Sequence, residues 1–327
     1  MSVFTRFLPL TRRTAPRVLW SRQPPSPLIP RLRCINYQRS LSTTTIHRTS
    51  ASRATSSTPE AQPALPEFNL TSKTILVTGA ARGLGLCMSQ ALLEAGATVY
   101  ALDRLPPDQQ SPDFAHIASR ASSEFDTSLH YRQIDVRDVD ALNSTIETIA
   151  DTEGRIDGLI AAAGIQQETP ALDYAQADAN RMFETNITGV MMTAQAVARQ
   201  MIRLKQTKGS MAFIASMSGT VANRGLTCAA YNASKAGVVQ LARNLASEWG
   251  GHGIRVNTIS PGYIVTQMVE ELFRKHPERR DQWARENMLG MLSRPQDYRA
   301  VAVFLMGDGS RFVTGADLRI DGGHAAW

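Results

Sequence analysis

From Lys73 onward the chain alternates short β-branched or apolar runs with longer segments of helical periodicity, and this alternation constrains the fold more than any other feature. Thr74–Thr78 reads as a buried strand running into glycines, Leu84–Ala95 as a helix, and Thr98–Asp103 as the next strand. Strand, helix and strand joined by short loops make a parallel pair, because parallel strands need a crossover. The pattern continues with strands at Tyr131–Ile134, Gly158–Ala162, Met211–Ser216, Arg255–Ile259 and Leu318–Ile320. Helical segments fall at Asp138–Thr152, Asp178–Leu204, Ala230–Trp249 and Gln296–Met306, with a polar helical stretch at Met268–Met291. Seven strands separated by helices predict a single α/β domain, a doubly wound parallel sheet flanked by helices.

The 327 residues are 43% hydrophobic and 20% charged, enough to bury a sizeable core and unlike a disordered or collagen-like chain. No apolar run approaches the roughly 18 residues of a membrane-spanning helix. Cys34, Cys87 and Cys228 do not build a disulfide framework, so a reducing compartment is the default. The histidines show no ligand spacing, and no metal site is indicated.

The formal charge of +6 comes from one end of the chain. Residues 1–59 hold ten arginines and no Lys, Asp or Glu, which leaves 25 basic against 29 acidic side chains, a net −4, over residues 60–327. That part has no electrostatic reason to seek nucleic acid. The leader is Arg-rich, Ser/Thr-rich and acid-free, the composition of a mitochondrial transit peptide, which is compatible with a disordered extension. Residues 1–57 are therefore read as a leader addressed to the mitochondrial matrix, 58–69 as a linker and 70–327 as the domain. Arg39-Ser-Leu-Ser-Thr-Thr resembles a processing site, with cleavage expected between Leu41 and Ser57.

Thr78-Gly79-Ala-Ala-Arg82-Gly83-Leu84-Gly85 lies between the first strand and the first helix. Glycines there let the backbone turn tightly and approach a pyrophosphate at the helix N-terminus. Alone the run is weak, since tight helix–strand packing also selects glycine. Asp103 strengthens it. It ends the second strand 24 residues after Gly79, close to the separation of about 20 at which an acid takes the adenosine ribose hydroxyls. A carboxylate there repels a 2′-phosphate and favours NAD over NADP, whereas Arg82 and Arg104 could bind that phosphate. Tyr231 and Lys235, four residues apart, share one helix face, and a cation near the phenol would draw its pKa down from about 10 toward neutrality.

A Thr-Gly-x-x-x-Gly-x-Gly turn at 78–85, Asn-Ile-x-Gly at 186–189, a serine 13 residues before a Tyr-x-x-x-Lys, and Pro-Gly-x-x-x-Thr at 261–266 follow one another in order. Together they resemble the short-chain dehydrogenase/reductase family over roughly Leu70–Trp327. The resemblance implies a Rossmann-type sheet, a nicotinamide cofactor and a catalytic group of Asn186, Ser218, Tyr231 and Lys235. Tyr231 would exchange the proton, Lys235 would hold the ribose and lower the Tyr231 pKa, Ser218 would bond the substrate oxygen, and Asn186 would position a relay water. The cofactor would lie against Gly79, Arg82, Gly83, Leu84, Gly85, Asp103, Asp135, Val136, Gly164, Pro261, Gly262, Ile264 and Thr266. One departure stands out. Where the family commonly has Asn-Asn-Ala-Gly this chain has Ala161-Ala-Ala-Gly164, which puts the bracing of the sheet in question.

The segments Ser216–Asn223 and Tyr231–Ala236 most resemble the polyol dehydrogenase and ketose reductase branch, and Gln166, Gln167, Asn223 and Arg224 could bond a hydroxyl-rich substrate. Met268–Met291 occupies the family's lid region. The alternatives are a mitochondrial 3-oxoacyl thioester reductase, which would need a basic patch and NADP, and a nicotinamide-nucleotide sensor without turnover. Two long helices carry apolar residues beyond one core stripe, which covering the sheet would also explain; the resemblance implies that they pair between subunits in a homodimer or homotetramer.

Overall fold

The computed structural model describes residues 65–327, so the leader, its cleavage region and residues 58–64 of the linker lie outside the described residues. Seven strands, β1 (Thr74–Thr78), β2 (Thr98–Asp103), β3 (Leu129–Gln133), β4 (Gly158–Ala161), β5 (Gly209–Ile214), β6 (Ile254–Pro261) and β7 (Asp317–Ile320), form one sheet in the order β3-β2-β1-β4-β5-β6-β7. Every pair is parallel. Nine α-helices complete the described fold: α1 (Gly83–Glu94), α2 (Asp113–Glu124), α3 (Val139–Glu153), α4 (Gln176–Phe183), α5 (Gly189–Arg203), α6 (Ala229–Trp249), α7 (Gln267–Lys275), α8 (Glu278–Arg285) and α9 (Arg299–Met306).

The period-2 alternation of the strands sorts their side chains onto two cores. Leu76, Tyr100, Leu102, Leu159, Met211, Phe213 and Val256 pack against α3, α5 and α6. Ile75, Val77, Val99, Ala101, Ile160, Ala212 and Ile259 pack against α1, α2 and α9. Because both faces are covered, strands such as β1 and β5 are buried at every position and read as continuous apolar or small-residue runs. The strand order reverses between β1 and β4, where successive crossovers leave in opposite directions. A crevice opens there at the carboxyl ends, the usual ligand position in open α/β sheets.

Three elements differ from the sequence reading. Helix α2 was not anticipated: its apolar stripe is only Phe114, Ile117 and Ala121 in an otherwise polar, Ser-rich segment. The single helix expected over Asp178–Leu204 is α4 and α5 joined by a π-helical turn at Glu184–Thr188, a local widening that a 3.6-residue pattern does not reveal. The stretch Met268–Met291 divides into α7 and α8 at His276–Pro277, where proline cannot continue the α7 hydrogen-bond ladder.

The alanines at 161–163 are braced by another residue. Thr78, beside Ala161 in the register, accepts the Ala162 and Ala163 N–H groups on its side-chain oxygen (3.1 and 3.2 Å), fixing the exit of β4 to β1. Gly79 makes this possible, since a Cβ there would come within 2.8 Å of the Ala163 backbone, and its φ of +67° favours glycine in any case. A Thr78→Val variant keeps the shape and removes the acceptor. It is expected to lose about 1–3 kcal/mol of stability, read as a fall of several degrees in calorimetric Tm.

Candidate active site

The glycine-rich turn delivers an uncapped helix. Arg82, the N-cap residue of α1, is extended and its side chain makes no capping bond, and the first turn holds no acidic residue. The first N–H groups and the positive end of the dipole therefore face the crevice without competition from the protein. Gly83, at φ +59°, has open space where a Cβ would lie, whereas a Cβ on Gly85 would clash with the Gly79 carbonyl. Gly83 thus leaves room for a ligand, and Gly85 serves the tight turn itself. Leu84, in the first turn of α1, packs half-buried onto the core. Asp103 is already oriented: its carboxylate accepts the Ala81 N–H (3.0 Å) and the Leu105 N–H (3.1 Å). Arg82 and Arg104 are exposed beside it. An anionic, ribose-bearing nucleotide fits this arrangement of donors, acid and open glycine.

Around the end of β5 the structure gathers the reactive groups. The π-helical turn rotates Asn186 inward, fully buried, where it accepts the Ile165 N–H (2.8 Å) and donates to the Ile165 carbonyl (2.9 Å) and Ser234 Oγ (3.0 Å). Ser234 in turn donates to the Tyr231 carbonyl (2.7 Å), so Asn186 ties the loop after β4 to helix α6. Gly164 sits in the gap, since a Cβ there would lie 3.3 Å from Asn186 Oδ1 and 3.4 Å from Lys235 Nζ. Lys235 Nζ donates to the Ile214 carbonyl (2.8 Å) and lies 5.7 Å from the Tyr231 ring centre.

Ser216, two residues before the serine that sequence spacing selects, also acts on the Tyr231 phenol and favours its ionised form. Ser216 leaves β5 in an extended conformation and caps the short 3-10 turn Met217–Gly219, and its Oγ accepts the Ser218 N–H (3.1 Å). Gly219 lets this turn sit on α6, as a Cβ there would come within 2.8 Å of the Lys235–Ala236 backbone. Ser218 is buried in the same turn. A serine-to-tyrosine count along the chain misses this, because the turn curls two more residues between the strand end and the helix.

Burial sets the electrostatics. It pushes the Tyr231 phenol above its ordinary value, with the Ser216 hydrogen bond opposing the rise, and pushes Lys235 down to about 8. The depression of Tyr231 expected from its helix neighbour is therefore not what this structure has: desolvation dominates, and the ammonium is engaged with a backbone carbonyl.

The remaining sequence candidates divide. Asp135 is held in a fork by Arg137, with contacts of 2.6–3.1 Å, which keeps its carboxyl below the ordinary range. Val136 is turned into the core, close to where a Cβ on Gly189 would lie (2.7 Å). Pro261 ends β6, and Gly262 is required by the chain itself, since its Cβ would strike Asp321 Cα at 2.8 Å. Ile264 bridges to Ser293, and Thr266 caps α7 by accepting the Val269 N–H (3.4 Å). Helices α7 and α8 pack against the loops that leave β4 and β6. Trp283 of α8 stacks on Tyr263 (4.3 Å between ring centres), and Arg279 pairs with both oxygens of Glu168 in the loop after β4 (3.1 and 3.2 Å).

A family model described as enoyl-(acyl carrier protein) reductase matches residues 79–325. The chain is 43% identical to the short chain dehydrogenases/reductase notP' of Aspergillus versicolor, over 80% of this chain and 89% of that one. It is 35% identical to galactitol 2-dehydrogenase of Rhizobium johnstonii, over 80% and 98%. This chain belongs to the short-chain dehydrogenase/reductase family. Among solved members, carveol dehydrogenase from Mycobacterium avium in complex with NAD superposes with a TM-score of 0.72 at 29% identity, covering 79% of this chain and 99% of that one. Gluconate 5-dehydrogenase from Burkholderia cenocepacia in complex with NADP and tartrate gives 0.72 at 29%, covering 80% and 98%. As a short-chain dehydrogenase/reductase it is an NAD(P)-dependent oxidoreductase of CH–OH groups, related to polyol and sugar-acid dehydrogenases.

In this short-chain dehydrogenase/reductase the burial of Lys235 has a measurable sign. With a folded value of about 8 against an ordinary 10.5, the unfolded chain binds the extra proton between those values, so stability from this group rises with pH across that window. A Lys235→Met variant removes the rise. Urea unfolding at about pH 7.5 and about pH 9.5 is expected to show wild type gaining stability relative to the variant; both points lie below the range near pH 10 in which Tyr231 acts in the opposite direction.

Proposed function

We propose that the protein interconverts a polyol and the corresponding ketose with NAD, using Tyr231 as the proton-exchanging group. The observation that carries this reading is the set of half-buried Tyr231 with buried Ser216 and Lys235, together with the uncapped N-terminus of α1. Galactitol 2-dehydrogenase and the D-arabinitol 2-dehydrogenase of Candida tropicalis, 33% identical over 80% of this chain and 96% of that one, support the polyol class. Asp103 at the end of β2 supports NAD, and the exposed Arg82 and Arg104 are the groups through which NADP would bind instead.

The N–H groups opening α1, with Gly83 and Gly85, would hold the pyrophosphate, Asp103 the adenosine ribose and Lys235 the nicotinamide ribose. When bound, the nicotinamide supplies the acceptor or donor of hydride. Tyr231 Oη gives its proton to a ketone oxygen, or takes the carbinol proton in the other direction. Its raised pKa keeps the proton on the phenol at neutral pH, the state needed for reduction. The Ser216 hydroxyl, which acts on that phenol, would orient the substrate oxygen. Asn186 acts as a positioning residue, since both N–H bonds of its amide are engaged by Ile165 and Ser234.

The exposed Met191 and Ile202 of α5 line a groove with Leu245 and Trp249 of α6, and we assign this face to pairing between two copies of the chain. The leader, by its composition, would direct the protein to mitochondria, with N-terminal sequencing of the mature protein as the check.

The function is tested by following the reduced cofactor with NAD or NADP and a panel of polyols, simple secondary alcohols and 3-hydroxyacyl thioesters. Turnover is expected with NAD and a polyol. Tyr231→Phe and Ser216→Ala should each lower kcat by about 10²-fold or more, while Ser218→Ala changes it little. Turnover only with NADP and thioesters would assign the protein to acyl reduction, and cofactor binding without turnover would make it a sensor.

A further inference from the structure

The loop that leaves β4 is tied down at alternate residues. Ile165 is bonded through its backbone to Asn186 (2.8 and 2.9 Å). Gln167 donates to Thr169 Oγ1 and to Asp178 of α4 (both 3.0 Å) and accepts from Arg181 (3.0 Å), so its amide is engaged within the protein. The Thr169 N–H donates to the Thr227 carbonyl (2.7 Å), four residues before Tyr231. Glu168 is exposed between these anchors, and both of its carboxylate oxygens accept from Arg279 of α8.

Helix α8 touches the loops that leave three strands. Arg279 meets Glu168 after β4, Gln282 lies 3.8 Å from where a Cβ on Gly225 would be, in the loop between β5 and α6, and Trp283 stacks on Tyr263 after β6. Lys235 is bonded at the same end of the sheet, to the Ile214 carbonyl of β5. Most of what holds α8 is internal to the segment 263–286: Trp283 stacks on Tyr263 and meets Phe273 (5.5 Å), Arg280 pairs with Glu270, and the Tyr263 hydroxyl donates to Glu286 (3.3 Å). Contacts of that kind travel with the segment and do not fix it to the loop after β4. Arg279 does. Among the described residues its pair with Glu168 is the one ion pair that joins α8 to anything outside the segment, across 111 residues of chain. The Trp283 ring lies under the guanidinium (5.8 Å), and the planar fork engages both carboxylate oxygens. With 20% and 31% of the two side chains open to solvent, the pair is specific in geometry yet weak enough to open and close.

We propose that Arg279 is a positioning residue. Through Glu168 it holds α8 against the loop after β4 while substrate is bound beside Tyr231, and substrate enters and leaves when the pair opens. This rests on the role of Tyr231 proposed above and is independent of which class of alcohol reacts.

The test compares wild type with Glu168→Gln, Arg279→Gln and the exchanged pair Glu168→Arg with Arg279→Glu, using the cofactor and the substrate of the panel above that wild type turns over fastest. Each single variant is expected to raise KM for that substrate about three- to tenfold with kcat within about twofold, and the exchanged pair to return KM to within about twofold of wild type. Hydrogen exchange gives a readout that needs no turnover: amides of 278–285 should exchange several-fold faster in Glu168→Gln, and those of β4 and α6 at the wild-type rate. Unchanged KM, or unchanged exchange in α8, would overturn the proposal. So would a fall in kcat and Tm together that the exchanged pair does not rescue, which marks a merely structural contact. Full turnover by Tyr231→Phe would overturn the proposed role of Tyr231 and leave the KM and exchange results to decide on the pair alone; no turnover of any substrate by wild type would overturn both.

Discussion

Parallel pairing of β1 with β4 is the constraint on which the rest of the molecule depends. Parallel neighbours cannot be joined by a tight turn, so each connection becomes a crossover, and the chain that left β1 toward β2 and β3 must return past it to β4. The two directions diverge at the carboxyl ends of β1 and β4. Thr78, Gly79, Gly83 and Gly164 all belong to that point. The Thr78 hydroxyl that binds Ala162 and Ala163 holds the crevice to its width where the alanines supply no polar side chain of their own.

Polar groups are buried in this crevice at a cost that the sheet and its helices offset. Lys235 has a backbone carbonyl as its hydrogen-bond partner and no carboxylate pair among the described residues, which is why its ammonium is weakened. Tyr231 is held protonated by the same lack of solvent. Asn186 spends its whole amide fixing the loop after β4 to α6, so the reactive side chains stand on braced backbone. These are features of a site arranged before any ligand arrives.

Helices α7 and α8 show a second use of polar pairing. Among the described side chains of α7 and α8, Phe273 and Trp283 are the buried apolar anchors; Arg279 pairs with Glu168, Arg280 of α8 pairs with Glu270 of α7, and the Trp327 indole donates to the Glu286 carbonyl. Ion pairs open to solvent contribute little to stability, so these helices are held less firmly than the sheet.

The sequence by itself determined the parallel α/β architecture, the glycine-rich turn opening onto α1, the acid at the end of β2 and the Tyr231/Lys235 pair. All of these are local: periodicity of 2 or 3.6, glycine at positive φ and i,i+4 spacing on one helix can be read without knowing what lies opposite. The tertiary structure alone decided the rest. It gathered Ser216 with Ser218 in one buried 3-10 turn against α6. It used Gly262 and Val136 for internal packing. It also set the pKa directions, since desolvation depends on every element around a group and outweighed the one neighbour that the spacing had disclosed. Helix α2 and the π-helical turn escaped the sequence reading for the same reason. Their signals are one short apolar stripe and one extra residue in a turn, and packing against the sheet fixes both.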